Sequence, residues 1–141
     1  MKWILAITVL LAPLSASALN ANLDRLTLMS EITLAGKPAV VFYLGSDVEE
    51  NYCSISATKD YVLNANGQLL NIKRDQPEFD VSCNWDGEYY VLSSNHITRA
   101  EVVFIKSTKN TPMAIRLNAM LTTTKGELAT FNSPNIDVVA K

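Results

Sequence analysis

Apolar and polar residues alternate through most of the chain, interrupted every few positions by turn-forming residues. The first clear run begins at Arg25. Leu26, Leu28, Ser30, Ile32 and Leu34 fall on one side and Arg25, Thr27, Met29, Glu31 and Thr33 on the other, which predicts a half-buried strand. Gly36-Lys37-Pro38 breaks it, and the apolar run from Ala39 to Leu44 predicts a strand covered on both faces. Cys53, Ile55 and Ala57 then share a side, with Tyr52, Ser54, Ser56 and Thr58 opposite. Tyr61-Val62-Leu63 is expected to resume as strand after the polar break Lys59-Asp60, and Asn66-Gly67 predicts a two-residue hairpin turn leading to Leu70 and Ile72.

The pattern is sharpest around the second cysteine. Phe79, Val81, Cys83 and Trp85 face one way, Asp86-Gly87 turns the chain, and Glu88 to Ser93 returns. Further strands are expected at Glu101 to Ile105, along the alternation Ile115, Leu117, Ala119 and Leu121, from Glu127 to Phe131 after the Lys125-Gly126 turn, and at Ile136 to Val139. No segment beyond the N-terminal run carries a sustained 3.6-residue apolar period. The stretch from Leu19 to Leu26 is the one place where a helical turn would fit. About 8–9 short strands at close spacing predict an all-β, antiparallel β-sandwich, immunoglobulin-like in general architecture, with a small antiparallel β-barrel as the alternative. The cysteine spacing of true immunoglobulin domains is absent, because Trp85 follows the second cysteine.

The N-terminus changes the compartment. Met1-Lys2, an apolar run from Trp3 to Leu14 and Ser15-Ala16-Ser17-Ala18 form the three parts of a secretory signal, with cleavage expected after Ala18. The run is shorter than the roughly 20 residues a bilayer span needs. The expected organisation is therefore a cleaved signal over 1–18 and a single β domain over 19–141. Loss of Lys2 leaves 11 basic against 14 acidic residues, a balance that argues against nucleic acid or an anionic membrane as partner.

In an exported chain two cysteines predict a structural disulfide, Cys53–Cys83. A redox role would want a C-x-x-C pair, and a zinc site more nitrogen and sulfur ligands than one histidine can add. His96, the single histidine, has Ser93 and Ser94 nearby but no nucleophile elbow, so a loop histidine is the plainer reading. Acidic residues gather at Asp47/Glu49/Glu50, Asp75/Glu78/Asp80 and Asp86/Glu88, without the spacing of a calcium loop, and solvated strand faces and turns account for them. No phosphate-binding glycine loop is present. No cofactor and no metal are expected.

What is left is surface. Tyr52 and Tyr90, with Met29 and Met120 on the nominally polar sides of their strands, are the candidates for an interaction surface, since exposed tyrosine and methionine commonly anchor protein contacts. Long strands also offer edges for pairing with a partner strand. The expectation is a non-enzymatic binding or accessory protein of the bacterial envelope, periplasmic or secreted, with a protein partner and no membrane span after signal cleavage. An inhibitor or immunity protein against a hydrolase such as lysozyme, and a small-ligand carrier, are the alternatives.

Locally, Asn66-Gly67-Gln68-Leu69-Leu70-Asn71-Ile72-Lys73 and Asp86-Gly87-Glu88-Tyr89-Tyr90-Val91 resemble parts of the periplasmic C-type lysozyme inhibitors of bacteria. The resemblance implies a small exported β-barrel that plugs an enzyme cleft. That family's serine-glycine-x-x-tyrosine segment is missing and the cysteines stand elsewhere, so no residue roles carry over.

Overall fold

The computed structural model describes residues 19–65, 69–72, 78–106 and 112–138. In chain order the elements are β1 (Leu19–Asn22), β2 (Arg25–Leu34), β3 (Lys37–Gly45), β4 (Tyr52–Thr58), α1 (Lys59–Ala65), β5 (Leu69–Ile72), β6 (Phe79–Trp85), β7 (Glu88–Val91), β8 (Arg99–Lys106), β9 (Pro112–Thr122), β10 (Leu128–Asn132) and β11 (Ile136–Asp137). The expected signal, the Asn66-Gly67 turn, Asp75 with Lys73 and Arg74, and Val139 lie outside the described residues.

All strands join one curled sheet, ordered β1-β10-β9-β7-β6-β4-β3-β2, with β8 and β11 also pairing β9, and β5 outside β8. The ladder is mixed, because β1 runs parallel to β10 while the other pairings are antiparallel. This is closer to a half-closed barrel than to two separate antiparallel sheets. Two links hold the curl. On one side β7 meets β9 through the single pair Val91 and Thr122. On the other, the chain from β1 to β2 bends at Leu23 and Asp24, where the Leu23 N–H donates to the Asn132 carbonyl (2.8 Å) and the Asp24 N–H to the Gly45 carbonyl (3.0 Å). One nearly continuous strand thus changes partners at a corner.

The curl brings two apolar faces together. Phe42 and Phe79 each lie 5.8 Å, ring to ring, from Phe104, while Trp85 and Tyr90 sit 5.8 and 5.2 Å from Phe131. Phe79, Val81, Cys83 and Trp85 are all buried, as are Ile115, Leu117, Ala119 and Leu121, following the alternation of the sequence. The disulfide joins Cys53 to Cys83, which stand directly opposite each other on β4 and β6. The hairpin turn between β6 and β7 has φ of 50° at Asp86 and 82° at Gly87, as a type I′ turn requires.

Three expectations need correction. Lys59–Ala65 is a helix and not a resumed strand. Thr58 caps it, its Oγ1 accepting from the Tyr61 N–H (3.4 Å), and Asp60 sits in the first turn where the helix dipole favours a carboxylate. Tyr61 then packs edge-on against Phe79 at 4.0 Å. A hairpin between that segment and β5 is also absent, since β5 pairs with β8. Finally, a register shift between Leu26 and Leu28 breaks the alternation of β2. Leu26 and Met29 pack against the core, while Leu28 is 56% exposed on the outside. One extra residue at Thr27 moves the remaining side chains to the opposite face.

Candidate interaction surface

The outward face of β2, β3, β4, β6 and β7 is built by small residues between tyrosines. Cross-strand register sets Tyr52 beside Asn84 and Asn84 beside Tyr89. The next row runs Leu28, Tyr43, Ser54, Ser82 and Val91. Tyr43 and Tyr52 pack edge-on with centroids 5.7 Å apart, and the Ser54 and Ser82 hydroxyls share a hydrogen bond of 3.0 Å. Tyr89 is 52% exposed, and Leu28 lies at the β2 edge of the same face. Serines between the tyrosines keep the sheet low there, so the phenol rings stand above it.

Two clusters fix the rim. At the turn, the Asn51 side-chain amide donates to Asp86 Oδ1 (3.1 Å) and its oxygen accepts from the Asp86 N–H (2.9 Å). At the β2 corner, Arg25 Nε donates to Asp24 (2.7 Å), and a guanidinium nitrogen bonds Asp47 across the β3–β4 loop. The hydrogen bond from Arg25 holds the Asp24 carboxyl below its ordinary range.

Of the four residues singled out from sequence, only Tyr52 stands on this face. Tyr90 points inward, opposite Cys83, and is buried against Phe131. Burial raises its phenol pKa, and the Glu127, Glu88 and Asp86 carboxylates push it the same way. A two-residue turn pairs Trp85 with Glu88 and therefore Cys83 with Tyr90, so the inward cysteine dictates an inward Tyr90 and an outward Tyr89. That signal is present in the sequence. Met29 is turned inward by the β2 bulge, and Met120 is half-buried on β9, opposite Thr130 and Arg99. Tyr43 was overlooked because the apolar run around it reads as interior on both faces.

Elsewhere, Ser93 Oγ lies 3.1 Å from His96 Nδ1, but the same oxygen accepts from the Asn95 N–H, and Thr98 closes the loop through its own bonds to the Ser93 backbone. These bonds order the β7–β8 loop. Among the described residues no group of three or more histidine, cysteine, aspartate or glutamate side chains is placed to hold a metal, and no helix is long and apolar enough to cross a membrane. No family model, curated protein or solved structure matches the chain.

Proposed function

We propose that this is an exported, non-enzymatic binding protein of the bacterial envelope, acting through protein–protein contacts made by its outward tyrosine face. The observation that carries the reading is the grouping of Tyr43, Tyr52 and Tyr89 with Leu28 around Ser54, Ser82 and Asn84 on one rigid sheet. Tyrosine offers large contact area with few torsions to freeze, and serine and asparagine supply adaptable hydrogen bonds, the composition that protein-recognition surfaces favour. Strands spanning the core hold the rings in place, so little ordering is required on binding. Export is supported by the buried disulfide and by the signal-like N-terminal sequence. The immobilised protein, exposed to its native envelope extract, should retain a stoichiometric partner, and Tyr52→Ala/Tyr89→Ala should lose it. Retention unchanged by that pair, or catalytic turnover in a hydrolase screen, would refute the reading.

A further inference from the structure

The chain is close to balanced in charge, with 14 acidic and 12 basic residues, but the charges are not evenly spread. Residues 24–58 and 78–91, which hold β2, β3, β4, β6 and β7, carry nine carboxylates and two cations. The remainder carries five and ten. The half of the sheet that bears the tyrosine face is therefore acidic, which the net charge conceals.

Both cations of that half are already engaged. Arg25 is bonded to Asp24 and Asp47, and Lys37 Nζ lies 3.6 Å from Glu78 Oε1. Lys59, the next cation along the chain, is bonded to Glu31 at 2.6 Å. Other carboxylates flank the tyrosines on two sides. Asp80 stands opposite Ser56, one row beyond Ser54 and Ser82 on the same outward face. Glu49 and Glu50, both exposed, lie in the loop that leads into Tyr52, and Asp86 is held beside that loop by the uncharged amide of Asn51. Among the described residues none of these four carboxylates has a cation against it.

This pattern selects the partner's charge. The face of a tyrosine ring attracts an ammonium or guanidinium within about 6 Å. A basic side chain laid on Tyr52 or Tyr89 would thus have a ring beneath it and an unpaired carboxylate nearby. An acidic partner would be repelled, and so would a second copy docked through the same face, because its carboxylates would oppose these. A second copy docked through its other half fits little better, since Arg99 and Arg116 share their face of β8 and β9 with Glu101.

We propose that the tyrosine face takes a cationic protein partner, whose lysine and arginine side chains lie on the tyrosines and between the flanking carboxylates. The proposal rests on the binding reading above and adds the chemistry of what is bound.

Random twelve-residue peptides selected on the purified protein test it. The tightest should be rich in lysine and arginine, and should bind about tenfold more weakly in about 0.5 M than in about 0.05 M salt. Glu49→Gln/Glu50→Gln should weaken them about fivefold, whereas Glu101→Lys, an equal change in net charge on the other half, should alter their affinity less than about twofold. Neutral or acidic peptides, or equal losses from the two charge variants, would overturn the proposal. So would a salt-sensitive dimer that occludes the face. Neutral or acidic peptides that still require Tyr52 and Tyr89 would remove only the cationic partner and leave the tyrosine reading in place. Basic peptides that bind Tyr52→Ala/Tyr89→Ala as tightly as the unaltered protein would take down both.

Discussion

Asn51 and Asp86, 35 positions apart, exchange two hydrogen bonds of 3.1 and 2.9 Å. Asn51 is buried, and Asp86 holds the left-handed conformation at the β6–β7 turn. The pair ties the loop before β4 to the tip of the hairpin and so fixes one end of the tyrosine face. Asn51→Ala leaves the Asp86 N–H without its partner and should cost about 1–3 kcal/mol in urea unfolding. Asn51→Asp should cost more at neutral pH, because it sets a second carboxylate against Asp86.

The disulfide closes a 30-residue separation between neighbouring strands. Loop closure alone gives it a stabilisation of about 3–4 kcal/mol. Cys53→Ala/Cys83→Ala should therefore lower the melting temperature by well over 10 °C, given the roughly 4–8 °C per kcal/mol of a small domain. A loss under 1 kcal/mol would show that the β4–β6 ladder needs no bridge.

Stability should respond to pH at both ends of the scale. Hydrogen bonds from Arg25 and Lys59 lower the Asp24 and Glu31 carboxyls in the folded protein. Groups depressed in this way stabilise the fold above their unfolded pKa, and that contribution disappears as pH falls through the folded value. The urea midpoint should drop between about pH 5 and pH 2, and Lys59→Ala should remove the Glu31 part of the drop. At the alkaline end the sign is reversed. Tyr90 is held protonated by burial, so folding loses stability as pH rises above about 10, where the unfolded phenol ionises. Tyrosinate absorbance at alkaline pH should include a late component that is absent in Tyr90→Phe.

Phe131 connects the two faces of the curl, with Trp85 and Tyr90 both against its ring. It is fully buried, so Phe131→Ala should cost about 3–5 kcal/mol and alter Trp85 fluorescence before unfolding. Thr58→Ala, which removes the α1 cap together with a buried methyl, should cost about 1–2 kcal/mol.

The period-two pattern carried most of the fold, because a residue's side of a sheet follows from parity alone. It located β4, β6 and β9, while the continuous apolar run marked β3, Asp86-Gly87 marked the turn and the count of two cysteines marked the disulfide. It failed where parity is reset or irrelevant. The extra residue at Thr27 exchanged the faces of β2, and with them the positions of Leu28 and Met29. The helix at Lys59–Ala65 spans fewer than two full turns, too short for an apolar period to emerge, and only Thr58 and Asp60 announce it. The parallel pairing of β1 with β10 joins residues about 110 positions apart, for which no local signal exists. The outward tyrosine face is only half legible: alternation around Cys53 turns Tyr52 outward, and Tyr89 follows once the turn's register is applied to Cys83.

The claim that this face binds a protein is tested most directly by measuring the captured partner's affinity for three forms of the protein. Tyr52→Ala/Tyr89→Ala should weaken binding at least about 30-fold, in keeping with about 2 kcal/mol or more for buried aromatic anchors. Ile97→Ala, which trims a still more exposed apolar residue on the β7–β8 loop, should bind as the unaltered protein does. Equal affinity of all three forms would contradict the account.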